Sequence, residues 1–114
     1  MVDAFLAASR AGDFDALLRI LDPDVVFRGD AGARAQVVPT LLRGAHDVTE
    51  HAARVGPHFA TLCRPALVNG AAGIIATGRA GVMAVVGVTV INGRIAELDL
   101  VLDPDKLSGL TITE

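Results

Sequence analysis

The feature that most constrains the fold of this chain is a change of hydrophobic period near residue 58. Before it, apolar residues recur every three to four positions, as on one face of a helix. After it, they alternate or form short apolar runs, as in strands. Asn92 and Gly93 form the strongest turn signal in the second part, because both tolerate the positive φ angles of a tight hairpin. Helices followed by an antiparallel meander predict an α+β fold, with helices on one face of a bent sheet.

The first thirty residues predict two helices that lead directly into a strand. Gly12 is expected to end the first helix, and the carboxylate of Asp13 to cap the second. Pro23 is expected to stop the second helix, because proline cannot donate the next backbone hydrogen bond. The β-branched and aromatic run 25–27 then suits a strand. Helices in this position would cover the sheet and enclose a pocket.

A third helix is predicted from Ala45 to Val55, with Gly56 and Pro57 as its stop. The strands of the meander are expected at residues 59–69, 73–77, 82–91 and 94–102. Gly87 is expected to mark a bulge in the longest strand, because a glycine inside a strand often accompanies a bend. The tail after residue 103 carries no clear structural signal.

The composition narrows the classes of protein to which the chain can belong. Its 114 residues suit one domain, residues 1–114, and 52% hydrophobic residues can supply a core. A net charge of −3 and the absence of Trp and Tyr argue against direct nucleic-acid binding. No apolar run approaches the roughly 20 residues of a membrane span, so we expect no membrane-spanning helix. The N-terminal residues lack the basic and apolar pattern of a secretory signal peptide. The single cysteine, Cys63, excludes an internal disulfide and indicates a reducing, cytoplasmic location.

Asp99 is the first candidate for chemistry. Strand alternation places Glu97 and Asp99 on one face and Leu98 and Leu100 on the other. If Asp99 projects into the pocket, desolvation would raise its pKa and suit it as a general base. The alternative is that this face is wet and both carboxylates are solvated. Arg28 could then reach an acid across the sheet.

The three histidines are His46, His51 and His58. The simplest interpretation is that they lie on the surface or at a helix end. His58 is the most interesting, since it precedes the meander at the expected rim of the pocket and could assist catalysis. The segment HDVTEH lacks the His-Glu-x-x-His spacing, and no third ligand is evident. We therefore expect no metal site and no cofactor.

The pocket is expected to be lined by residues from the first strand, the loop after it and the meander. They are Phe27, Asp30, Phe59 and Asn69. Asp30 opens a glycine-rich loop, and loops at the end of a sheet often carry function. Asn69 also suits a plain turn, because glycine follows it.

Three segments of the chain resemble a known family: AFLAASRAGDFDALLRILDPDVVFRGD, PALVNGAAG and GRIAELDLVLDPDKL. They are similar to the SnoaL-like domain at the C-terminus of certain extracytoplasmic-function sigma factors, within the nuclear transport factor 2-like superfamily. The resemblance implies a cone-shaped half-barrel, in which a strongly curved, mostly antiparallel sheet carries about three N-terminal helices on its concave side. It also implies a bacterial sigma-factor or RNA polymerase context. DNA-reading domains precede this one in such sigma factors, so the chain is either a stand-alone homologue or a part of a longer protein.

Two classes of function stay open at this point, because this fold hosts both. The first is a non-catalytic module for regulation, for dimerisation or for binding a small apolar ligand, favoured by the few ionisable residues after the third helix. The alternative is a small-molecule enzyme of the isomerase, dehydratase, polyketide cyclase or epoxide hydrolase type, with Asp99 as general base and His58 assisting. In both classes we expect a homodimer through the sheet, since the strand 82–91 carries apolar residues on both faces.

Overall fold

The structure, a computed structural model, describes residues 1–30 and 41–114. Its helices are α1 (Val2–Ala11), α2 (Phe14–Ile20), α3 (Ala45–Phe59) and α4 (Pro104–Ser108), with a 3₁₀ turn at Ala60–Leu62. Its strands are β1 (Leu21–Asp30), β2 (Leu41–Arg43), β3 (Cys63–Val68), β4 (Ala71–Gly78), β5 (Gly81–Ile91), β6 (Arg94–Val101) and β7 (Ile112–Thr113).

Within these residues the strands form a seven-stranded sheet in the order β2-β1-β6-β5-β4-β3-β7. β1 runs parallel to β6, and the other described pairs are antiparallel. Phe27 of β1 lies opposite Leu98 of β6, and Arg28 lies opposite Asp99. The α+β class and the mostly antiparallel sheet are confirmed.

The local signals around α1 and α2 are confirmed. Gly12 ends α1 in the left-handed region at φ 63°, where a side chain is unfavourable. The Asp13 carboxylate accepts a hydrogen bond from the Ala16 N–H at 3.1 Å and so caps α2.

The end of α2 differs from its prediction. The helix ends at Ile20, and Pro23 lies inside β1 rather than at the helix terminus. The pairing of β1 with β6 is interrupted between Leu21 and Val26, so Pro23 sits where no ladder hydrogen bond is required of it. Leu21, which is 0% exposed, already pairs with Ile95 of β6 and so begins the strand.

The end of α3 also differs. Gly56 and Pro57 do not stop the helix, which continues to Phe59. The backbone of α1 crosses α3 at Gly56, and this close packing holds the turn in spite of the hydrogen bond that Pro57 cannot make. The next strand therefore begins at Cys63 and not at residue 59.

The bulge predicted at Gly87 is not found, because Gly87 pairs regularly with Gly73 and Asp99. The register shifts instead close to the two hairpin turns, between Ala76 and Thr77 and between Thr89 and Val90. Such irregularities increase the twist and bend of a sheet.

The tight turn between β5 and β6 is confirmed. Asn92 and Gly93 both have positive φ, 53° and 77°. These values suit a type I′ hairpin turn, whose twist matches that of the strands it joins.

The two faces of the sheet are covered differently. The main core packs α1, α2 and α3 on one face, here called the inner face, around fully buried residues such as Leu17, Val25 and Ile95. On the other side, the outer face, a smaller cluster joins Ala66, Ile75 and Val85 to residues of the C-terminal tail. The tail residues are Leu107, Leu110 and Ile112. The tail thus covers one end of the outer face.

None of the helices in the described part of the chain is long and apolar enough to cross a membrane.

Candidate functional site

A cavity of about 100 Å³ lies between the helices and the inner face of the sheet. Its helical wall includes Phe5 and Leu6 of α1 and Val48 of α3. The sheet contributes side chains that alternate inward, including Leu98 and Leu100 of β6. Val55 of α3 lines the cavity and is 36% exposed, so the cavity reaches the surface beside this helix.

The polar side chains that line the cavity are those of Ser9, His51 and Cys63, as far as the described residues go. No carboxylate and no arginine or lysine of these residues is among them. The cavity is therefore apolar, with three uncharged polar groups in its wall.

Ser9 is the most buried polar group at this site, with 5% of the residue exposed. Its Oγ has no hydrogen-bond partner among the described residues. A buried hydroxyl left in this state destabilises a fold by about 1–3 kcal/mol. Ser9 is held in place by the crossing of α1 over Gly56, where the two backbones touch.

His51 lines both this cavity and a neighbouring groove. Its ring lies 5.5 Å from the Phe27 ring, centroid to centroid. It also lines a groove of about 230 Å³ with Asp47, Glu50 and Arg54. Partial burial, and then the positive charge of Arg54, lower the pKa of His51. The neutral imidazole is thus favoured, and its Nδ1 lies 3.4 Å from an Arg54 nitrogen.

Cys63 is a structural residue. It is 9% exposed, and its Sγ donates to the Phe59 carbonyl at 3.4 Å. Burial raises the pKa of its thiol to about 11, a shift that the charge of Arg10 opposes. At neutral pH Cys63 is therefore a thiol and not a nucleophilic thiolate.

Asp99 lies on the outer face, and the expectation that it projects into the pocket is corrected. Leu98 and Leu100 face the cavity, so the side chain between them points away from it. Arg28 Nη1 contacts Asp99 Oδ1 at 3.1 Å and Glu97 Oε1 at 2.5 Å. With 44% of its side chain exposed, Asp99 is one partner in a surface ion-pair cluster.

His58 is exposed and does not line the cavity. The reason is the longer α3: successive helical residues differ by about 100° in direction, so Phe59 faces the cavity and His58 faces solvent. Phe27 and Phe59, the two aromatic residues expected in the pocket, both line it.

Asp30 and Asn69 lie away from the cavity and contact the C-terminal tail. Lys106 of α4 donates to the Asp30 carboxylate. Asn69 has a φ of 51° in the turn between β3 and β4, and its Oδ1 accepts from the Thr111 N–H at 2.9 Å. Both residues therefore contact the tail and do not take part in the cavity.

Solved structures of low sequence similarity share this fold. A nuclear transport factor 2-like protein of Cytophaga hutchinsonii superposes with a TM-score of 0.53 at 15% identity, over 94% of this chain and 90% of that one. A Silicibacter pomeroyi protein with a cystatin-like fold gives a TM-score of 0.57 at 19% identity, over 95% and 77%. No protein-family profile matches the chain.

A closer likeness links the chain to a sigma factor. It is 33% identical over 125 positions to the ECF RNA polymerase sigma factor SigJ of Mycobacterium tuberculosis. The crystal structure of SigJ superposes with a TM-score of 0.75 at 31% identity, over 95% of this chain and 42% of SigJ. The chain therefore shares the fold of nuclear transport factor 2-like and cystatin-like proteins, and its sequence is similar to a part of an ECF sigma factor. The chain covers 40% of the length of the sigma factor that it matches.

Ser9 and His51 line the cavity but were not predicted as site residues. The sequence holds a signal for each. Ser9 follows Phe5 by four positions and thus shares its helix face. His51 follows Val48 by three and precedes Val55 by four, which places it on the cavity stripe of a helix that runs through Gly56.

Proposed function

We propose that the chain is a SnoaL-like, non-catalytic module that binds a small apolar ligand in the cavity between α1, α3 and the sheet. The observation that carries the proposal is the lining of the cavity, which is apolar apart from Ser9, His51 and Cys63. General acid–base catalysis needs ionisable groups placed at the reacting atoms. The described lining offers one neutral imidazole and no carboxylate to work with it.

The size of the cavity supports a ligand of few atoms. An apolar cavity of about 150 Å³ in another protein stays dry and binds benzene. The present cavity of about 100 Å³ is smaller but reaches solvent beside Val55, so part of a ligand can extend into its mouth. A ligand with an apolar body near the size of one ring suits this space.

The relationship to SigJ supports a bacterial sigma-factor context, in which ligand binding would regulate a partner at RNA polymerase. A net charge of −3 supports contact with protein rather than directly with nucleic acid. Cys63, the single cysteine of the chain, is free and buried, which fits a reducing, cytoplasmic setting.

We also propose that the domain forms a homodimer through the uncovered end of the outer face. The tail covers Val85, whereas strand alternation places Thr89 and Ile91 farther along β5 on the same face. Ile91 is 53% exposed. Light scattering at micromolar concentration should give twice the 11.8 kDa chain mass, and Ile91→Asp should give the single-chain mass. A monomer for the unchanged chain contradicts the dimer and leaves the ligand proposal untouched.

The ligand proposal is tested with benzene as the probe. Titration of the ¹³C-methyl-labelled chain should produce saturable shifts at Val48, Leu98 and Leu100, whose methyl groups line the cavity. The methyl groups of Val82 and Ile91, which are exposed and do not line the cavity, serve as internal controls. Shifts that stay linear and equal at both sets up to the solubility limit of benzene would overturn the proposal.

A further inference from the structure

The Ser9 hydroxyl is a buried polar group with free hydrogen-bonding capacity, and it belongs to a residue that lines the cavity. The residue is 5% exposed, and Oγ has no partner in residues 1–30 and 41–114. A hydroxyl can donate one hydrogen bond and accept two. The single other unpartnered buried side-chain atom of this kind in the described chain, Thr49 Oγ1, belongs to a residue that does not line the cavity.

The charged side chains nearest to the cavity do not line it. Asp47, Glu50 and Arg54 line the neighbouring groove and not the cavity, and His51 lines both. A charged ligand group inside the cavity would lose its hydration without meeting an opposite charge among the described lining residues. A neutral group capable of one hydrogen bond avoids this penalty.

We infer that the cavity selects a small neutral amphiphile, with an apolar body near the size of one ring and one hydroxyl or carbonyl group bonded to Ser9 Oγ. This inference rests on the proposed function and deepens it, since it names the chemical class of the ligand. The apolar body contacts the aromatic and aliphatic walls, such as Phe27 and Leu98. The polar group satisfies the hydroxyl that the fold leaves without a partner.

The test compares three probes of one ring each: benzene, phenol and benzoate. Each is titrated at pH 7.5 into the 114-residue chain, into Ser9→Ala and into Thr49→Val, with methyl shifts at Leu98 and Leu100 as the readout. Thr49→Val is the matched control, because it also removes a buried, unpartnered hydroxyl but not one at the cavity. Thermal melts of the three proteins establish that each is folded at the titration temperature.

We expect Ser9→Ala to weaken phenol binding about two- to tenfold, the range for one neutral hydrogen bond. Benzene affinity should change by less than about twofold in this variant, because benzene makes no such bond. Thr49→Val should leave both affinities unchanged, and benzoate should produce no saturable shift in any of the three proteins.

Two results would overturn the inference, and they separate it from the proposed function. If benzene binds but phenol affinity is the same with and without the Ser9 hydroxyl, or benzoate binds as well as phenol, the ligand class is wrong and the apolar cavity site remains. If none of the probes binds, both the proposed function and the inference fail.

Discussion

Ser9 and Gly56 bring two helices into backbone contact. A Cβ atom built on Gly56 would lie 2.3 Å from the Ser9 carbonyl oxygen and 2.9 Å from the Ser9 Cβ. Glycine at this position thus sets the distance between α1 and α3, and that distance shapes the wall of the cavity. The same crossing keeps the Ser9 side chain against the cavity rather than in solvent.

The first prediction follows from this contact. Gly56→Ala should lower the free energy of unfolding by about 2 kcal/mol, because the added methyl group meets backbone that must shift. The higher helix propensity of alanine offsets at most about 1 kcal/mol of steric strain. Urea denaturation measures the change. Gly87→Ala is the control, since a Cβ there meets its nearest atom at 3.8 Å; equal effects of the two variants would contradict the close crossing.

The second prediction concerns the free energy of unfolding that is lost because the Ser9 hydroxyl is buried without a partner. Ser9→Ala and Thr49→Val should each raise the free energy of unfolding by about 1 kcal/mol, because each removes a buried hydroxyl without a partner. Thermal and urea unfolding give the values. Destabilisation by Ser9→Ala would mean that Oγ is hydrogen-bonded in the ligand-free protein. The inference that Oγ bonds the polar group of the ligand would then lose its basis.

The third prediction is a pH dependence that originates at His51. Burial and Arg54 lower the pKa of His51 in the folded state, so the unfolded chain, near pKa 6.5, binds the proton more readily. The stabilisation by neutral His51 is complete above about pH 6.5 and is lost as the pH falls below that value. His51→Gln should show a smaller loss of melting temperature between pH 7.5 and 5 than Thr49→Val, which keeps His51. Parallel profiles for the two variants would contradict the lowered pKa.

The fourth prediction separates packing from ion pairing in the tail. Leu107 packs on the cluster of Ala66, Ile75 and Val85, so Leu107→Ala should lower the free energy of unfolding by about 1–2 kcal/mol. The Lys106–Asp30 pair is exposed, and Lys106→Ala should change stability far less. Urea denaturation of the two variants decides between them. A larger effect at Lys106 would show that the ion pair, and not apolar burial, holds the tail.

Local chemistry was sufficient to predict the ends and turns whose causes lie within a few residues. The Gly12 stop, the Asp13 cap and the turn at Asn92 and Gly93 each depend on the conformational or hydrogen-bonding capacity of the residues themselves. Leu21–Pro23 and Gly56–Pro57 depend instead on distant partners, β6 and α1 respectively. Tertiary packing therefore decided where α2 and α3 end.

The candidate site, too, could be predicted from the sequence only in part. Strand alternation correctly separated Asp99 from Leu98, but the face that the helices cover is a property of the assembled fold. Val48, His51 and Val55 all lie within the predicted third helix and share one of its faces, but the sequence does not show that this face lines a cavity. The tail gave no sequence signal, because its apolar residues Leu107, Leu110 and Ile112 are too few to show a period.

The most direct test of the binding role is benzene affinity in a protein whose cavity has been filled. Val86 of β5 lines the cavity, and Thr89 of the same strand lies on the outer face opposite Glu97. We expect the unchanged chain and Thr89→Phe to show the same saturable methyl shifts with benzene, and Val86→Phe to show none. Equal benzene binding by Val86→Phe and Thr89→Phe, or no binding by the unchanged chain, would contradict a ligand site in this cavity.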